Sequence, residues 1–316
     1  MQILQPANIT IPPNIYNIGL INRSVSGKSD RVLNVLEGIL TGENIGEDRE
    51  GGDKAILGLQ NALQQSERYH LVLPALAPAR IAGGLTSAEV HDICRQYKLD
   101  ALIVLEYFDS NSIINVTQGK RNEKVKEETV EVIFYKANAR LNVNTKWKMY
   151  DDSTGSIIDL YDSENYLNFS NEGPTPDAAR LGLPQKRYAI NRTGEHAGKK
   201  YGTRIAPYWI TVEREYFKKG SGELKQAAKF SKIGIWAKAI DIWKRETLNN
   251  NTTIAGRANY NMAIACEREG NLELALQYAK NARDQFGLAK AATYYNLLNK
   301  RLSDQQVLEF QLKRNQ

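Results

Sequence analysis

"AAKFSKIGIWAKAIDIW" spans residues 227–243 and "AIACEREGNLELALQYA" spans residues 263–279. Laid over each other at a shift of 36 residues, they match Ala227 with Ala263, Phe230 with Cys266 and Gly234 with Gly270. Trp236 then meets Leu272, Ala239 meets Ala275, and Trp243 meets Ala279. Six positions at one offset mark an internal repeat, and a period in this range belongs to stacked helical hairpins. No two-residue alternation survives in this part of the chain, so each copy is expected to be a helix, a glycine turn and a second helix.

The pattern resembles tetratricopeptide repeats. That resemblance implies that Ala227 and Ala263 sit where two antiparallel helices cross closely, that Gly234 and Gly270 lie at the turn, and that Ala239 and Ala275 open the second helix. Ala282 fits a later small position, whereas Glu246 occupies its counterpart in the first copy. The period exceeds the usual ~34 residues through the insertion Asn249-Asn250-Asn251-Thr252, and Gly287 stands where proline is usual. Residues 290–312 are expected to supply a third or capping pair, because stacked repeats need a terminal cap. The resemblance implies no chemistry but a surface for a partner protein; the alternative is a helical appendage that only packs on the rest of the chain.

Working back toward the N-terminus, Gly220-Ser221-Gly222 reads as a hinge. It separates a helical domain, 220–316, from an α/β domain, 15–219. Residues 1–14, with three prolines, read as an extended tether. A first strand over 15–21 leads to a helix capped by Asp30, with Val32, Leu33, Val35, Leu36, Ile39 and Leu40 on one face. The acidic, glycine-rich stretch 46–52 reads as a loop before a helix over 53–65, and 70–73 as a short strand. Thr86 and Glu89 form a capping box ahead of Val90, Ile93, Cys94 and Tyr97, spaced as a buried helix face requires.

"ALIVLEYF", residues 101–108, opens on a continuous apolar run, as in a strand covered on both faces. Leu141, Val143, Thr145, Trp147 and Met149 alternate with polar residues in a half-exposed strand, and Asp151-Asp152-Ser153-Thr154-Gly155 turns it back through Ile158 and Leu160. Thr175-Pro176-Asp177 starts a helix, Ala197, Tyr201 and Ile205 face a later helix to the core, and 208–217 reads as a closing strand. The fold class is therefore α+β, a mixed sheet that begins βαβ and continues as an antiparallel hairpin, joined to an all-α repeat domain.

Of the 316 residues, 42% are apolar and 25% charged, the balance of a folded globular chain. Lys and Arg exceed Asp and Glu by six, and the excess gathers in Lys186, Arg187, Arg192, Lys199, Lys200 and Arg204, a candidate face for anionic lipid or glycan. The alternative is a solvated helix surface. RNA-binding signatures are absent, and no nucleic-acid partner is expected. Cys94 and Cys266 read as inert packing thiols, and His70, His91 and His196 are scattered, so neither a disulfide framework nor a metal site is expected.

Gly27-Lys28-Ser29 spells the end of a phosphate-binding loop, G-x-x-x-x-G-K-[ST], but Asn22 stands where the first glycine belongs. Glu106 and Asp109, after the apolar strand, are the candidate magnesium-holding acids. Against this, few parallel strands are available and the chain soon turns antiparallel, so a plain strand-to-helix turn is the favoured reading. No serine-hydrolase motif occurs, and Asp151 and Asp152 are explained by their turn. No catalytic residue and no cofactor are expected.

"PANITIPPNIYNIGLINRS", "GLQNALQQSERYHLV", "LDALIVLEYFDS" and "YGTRIAPYWITVEREYFKKG", followed by the helical repeat, together resemble a family of uncharacterised Bacteroidota cell-envelope lipoproteins. The resemblance implies an outer-membrane anchor upstream of Met1, with a signal peptide removed and a lipidated cysteine preceding the tether. The first domain is also faintly similar to the α/β domains of envelope assembly proteins of the curli-secretion type, and Asp152-Ser153-Thr154 fits the short O-glycosylation pattern of that phylum. The expected protein is a non-catalytic adaptor that binds a partner protein through its helices.

Overall fold

The structure, a computed structural model, describes residues 1–25, 45–66, 68–73, 84–125 and 128–313. By contacts these fall into two compact units: Ala7–Tyr208, and Met1–Pro6 with Trp209–Lys313.

The first unit is a mixed sheet with helices on both faces. Its strands are β2 (Asn17–Val25), β3 (His70–Val72), β4 (Ala101–Val125), β5 (Glu128–Asp151) and β6 (Ile157–Gly173), in the order β3-β2-β4-β5-β6; β1 (Gln2–Gln5) belongs to the other unit. The pairs β2/β3 and β2/β4 are parallel, while β4/β5 and β5/β6 are antiparallel. The continuous apolar run at 101–105 is explained by layers on both sides. Ala101, Ile103 and Leu105 face a core with Leu59, Ala197 and Tyr201, whereas Leu102 and Val104 face Val90 and Cys94. Val90 and Cys94 lie on α2 (Ser87–Tyr97), which begins at the expected capping box: the Thr86 side chain accepts from the Glu89 amide and Glu89 from the Thr86 amide.

On the other face lie α1 (Ile45–Gln64) and α4 (Lys186–Ile205). The stretch 46–52 that reads locally as a loop is helical, and the reason is tertiary. A Cβ on Gly58 would stand 2.0 Å from the Glu195 carbonyl oxygen, and one on Gly198 would stand 1.8 Å from that of Ala55. The two helices therefore cross backbone to backbone, which only glycine permits. A short α3 (Pro176–Leu181), capped by Thr175, covers Ala137 and Ala139 farther along the sheet.

Further expectations need correction. Residues 290–312, expected as a third or capping pair, form a single helix, Ala289–Leu312. The strand at 101–108 continues to Val125 and pairs with β5 along its whole length, from Ala101 opposite Asp151 to Val125 opposite Glu128. Residues 1–14 are not a bare tether: β1 pairs with β7 (Tyr208–Thr211), and Ile3, Ala7 and Ile11 are buried. The closing strand is only these four residues, because 212–219 leaves the sheet pattern and is held by helices of the second unit. The proposed helix over residues 32–40 and its cap Asp30 lie outside the described residues.

The second unit stacks α5 (Gly222–Lys232), α6 (Trp236–Glu246), α7 (Thr252–Arg268), α8 (Leu272–Asp284) and α9 (Ala289–Leu312), each packed on the next. The 36-residue shift holds in the backbone. Gly234 and Gly270 both turn through positive φ, +83° and +82°. The Ile235 amide donates to Phe230 as the Asn271 amide donates to Cys266, the six-residue closure of a helix C-terminus. Ala227, Ala239, Ala263 and Ala275 are all fully buried at the crossings.

Gly198→Ala sets a helix-propensity gain of about 1 kcal/mol against displacement of a neighbouring backbone. A net loss of about 2 kcal/mol is expected, read as a lower urea midpoint. Gly222→Ala, whose Cβ would meet nothing within 4 Å, should change stability by less than ~1 kcal/mol.

Candidate functional site

Gly27, Lys28 and Ser29 lie outside the described residues. Asn22, at the position of the missing first glycine, lies on β2 and has a structural role. Its side-chain oxygen accepts from the Ser24 amide and hydroxyl at 3.0 and 2.7 Å, and its nitrogen donates to Asp53 on α1 at 2.6 Å. Glu106 accepts from the Tyr150 hydroxyl at 3.2 Å and lies 3.9 Å from Lys148. Burial and the Glu106 charge push the Tyr150 phenol up to about 12. Asp151 accepts from Ser153 and Thr154 within its turn, and Asp152 meets His91 at 3.2 Å. Burial raises the thiols of Cys94 and Cys266 to about 12 and about 11, so at neutral pH both are protonated and unreactive. Among the described residues no cluster of His, Cys, Asp and Glu could hold a metal ion.

The basic residues of α4 do not form one face. Successive residues turn about 100° around a helix, so charges adjacent in sequence spread around its circumference. Arg187 bonds Glu50 at 2.6 Å, Arg192 bonds Glu195 at 3.0 Å, and Arg204 bonds Asp159 at 2.8 Å while lying over Tyr161. Lys186 is buried; Lys199 and Lys200 are exposed. An open cleft of about 360 Å³ between α1 and α4 is lined by Asn61, Gln64, Gln65, Glu195 and Lys199, among others. This arrangement does not concentrate positive charge.

The most organised constellation lies in the helical unit, where sequence reasoning placed only packing residues. Residues 212–217, extended and outside any regular element, run along α7. The side-chain amide of buried Asn261 clamps Phe217 from both sides, accepting from its amide at 2.7 Å and donating to its carbonyl at 2.8 Å. The Phe217 ring stands edge-on to Tyr260, and the Tyr216 ring packs between Trp236 and Trp243. Arg214 binds Glu267 with two nitrogens, at 2.8 and 2.9 Å.

Glu267, whose side chain is fully buried, also accepts from Arg301 at 2.6 Å and from the Tyr294 hydroxyl at 2.7 Å, both on α9. Burial opposes its ionisation. Hydrogen bonds from Arg214, Tyr294 and Arg301 outweigh that penalty and hold the carboxyl below its ordinary value of 4.5. Such a geometry grips an extended peptide by backbone and side chain at once, and here the peptide is the protein's own connecting segment. In the sequence Asn261 and Glu267 only bracket the apolar run Met262–Cys266, and nothing local marks their partners.

Because the folded carboxyl of Glu267 titrates below the unfolded one, its stabilisation is complete above 4.5 and is lost as pH falls through the folded value. Glu267→Gln should cost about 3 kcal/mol at neutral pH by leaving the half-buried Arg214 and Arg301 without an anion. It should also flatten the acid-side decline, read as urea midpoints by Trp fluorescence from about pH 3 to pH 7.

No curated protein matches the chain by sequence. A Caulobacter crescentus CB15 structure provisionally described as a lipoprotein is 11% identical, covers 57% of this chain and 84% of its own, and has a TM-score of 0.21. A Helicobacter pylori structure, provisionally described as a neuraminyllactose-binding hemagglutinin homolog, is 12% identical, covers 60% of this chain and 83% of its own, and has a TM-score of 0.23. Residues 225–300 match a second domain of unknown function, DUF6340. Residues 15–217, well over half of the chain, match a domain of unknown function, DUF8603, and the chain belongs to that family.

Proposed function

We propose that the protein is a non-catalytic scaffold that binds a partner protein through its stacked helices. The side chains that could have formed a reactive constellation are engaged in structural bonds: Glu106 with Tyr150, Asp151 with its turn, Glu267 with two arginines. The groove along α7 is filled by residues 212–217, so a partner must use another face of the stack.

The observation that carries the reading lies on α9, whose last turns expose Phe310 by 60%, Val307 by 41% and Leu312 by 39%. Val307 and Phe310, three residues apart, share one face of the helix, the spacing by which an apolar pair anchors a partner, whereas Leu312 lies on another side. The resemblance to tetratricopeptide repeats supports the same use. The resemblance to Bacteroidota envelope lipoproteins supports an envelope setting with an outer-membrane lipid anchor.

The test is a pull-down from envelope extracts with the full chain and with Phe310→Asp. Loss of an aromatic anchor costs about 2 kcal/mol, roughly thirtyfold in Kd. A partner retained by the unaltered protein should therefore disappear with the variant at unchanged Tm. Equal recovery by both would contradict this binding face.

A further inference from the structure

We propose that the turn joining α5 to α6 is a membrane-docking tip, which lays its apolar residues into the surface of an anionic phospholipid bilayer. The internal repeat supplies the comparison. The α5–α6 and α7–α8 turns have the same backbone: Gly234 and Gly270 at nearly equal positive φ, and matching hydrogen bonds on either side. In the second turn Glu269 and Asn271 flank the glycine, and the Asn271 side chain caps α8 by accepting from the Leu274 amide at 3.0 Å. In the first turn the flanking residues are Ile233 and Ile235. Ile235 occupies the N-cap of α6 and makes no capping bond, although isoleucine is among the poorest residues there.

Ile233 is 67% exposed and Ile235 41%. Polar residues serve the same backbone better thirty-six positions on, so local folding does not require isoleucine here. The surroundings identify the occupant. From Leu224 to Ile240 the chain carries Lys225, Lys229, Lys232 and Lys238 and no Asp or Glu. Lys229, Lys232 and Lys238 are exposed, and none forms an ion pair with a described residue, although the Lys238 ammonium lies 5.4 Å from the centre of the Phe230 ring. Partly exposed Trp236 follows directly. A Cβ on Gly234 would have nothing within 4 Å, as at Gly270, so both turns are open at the glycine. Two exposed isoleucines at a helix turn, exposed lysines on both flanking helices, and a half-buried Trp236 packed on Tyr216 and Trp243 beneath Arg268 match the boundary between acyl chains and anionic headgroups. This inference stands independently of the partner-binding face on α9.

The test is co-sedimentation of the full chain with phosphatidylcholine vesicles and with vesicles that also contain phosphatidylglycerol. The expected result is binding to the anionic vesicles only, weakening as salt is raised, with a blue shift of Trp fluorescence. Ile233→Glu with Ile235→Asn installs the residues of the second turn and should lower the bound fraction by about tenfold, with Tm unchanged or raised by the restored cap. Replacing Lys229, Lys232 and Lys238 by Gln should abolish binding at low salt. The proposal is overturned if the unaltered chain ignores anionic vesicles, or if the double variant binds them equally. It is also overturned if Ile235→Asn alone lowers Tm, since the residue would then belong to folding, or if the tip captures a protein and no vesicle.

Discussion

A carboxylate without access to water has to be surrounded by donors, and Glu267 is surrounded by three: Arg214 from the connecting segment, and Tyr294 and Arg301 from α9. An unpaired buried charge would cost several kcal/mol, so the three elements that supply these donors are not independent. The network ties the helix at the centre of the stack to its last helix and to the chain leading into it. With Arg214 fixed, Tyr216 and Phe217 fall into their aromatic pockets and Asn261 closes on the backbone between them and α7. The groove along α7 is thereby filled from within by the chain's own connecting segment.

In the α/β unit the corresponding constraint is the absence of side chains. Gly58 and Gly198 let α1 and α4 approach until backbone meets backbone, which sets the height of the helix layer over the sheet and lets Leu59 and Tyr201 reach Trp147. The polar residues around this layer are used in holding it: Asn22 and Asp53 join β2 to α1, Glu50 takes Arg187 and Asn191, and Asp159 takes Arg204 and Tyr201. Residues that look available in the sequence are spent on packing.

The parts of this arrangement that were legible in the sequence are those governed by local rules. The helical repeat was readable because a positive φ demands glycine at 234 and 270 and a close crossing demands a small residue at 227, 239, 263 and 275. The Thr86 capping box and the Asp151–Gly155 turn were readable for the same reason. What stayed hidden depends on partners distant in the chain. The glycines at 51 and 52 read as loop because the side chains that crowd them, Ile190 and Phe108 at the first and Asn22 and Ser24 at the second, are distant in the chain. The strand from 109 to 125 is polar because only pairing with β5, not burial, defines it. The six basic residues near 186–204 formed a patch only in one dimension, and Glu267 looked like an ordinary surface residue until its three partners were in place.

Residues 214–217 close the groove along α7. Native-state hydrogen exchange at the Phe217 amide tests this closure most directly. That amide lies in no helix or sheet, and its bond to Asn261 at 2.7 Å is its tie to the helical unit. A closed groove predicts protection of Phe217 comparable to that of the α7 backbone, lost together with it as denaturant is added. Exchange of Phe217 at the rate of an unstructured peptide, with α7 still protected, would show an open groove and contradict the account.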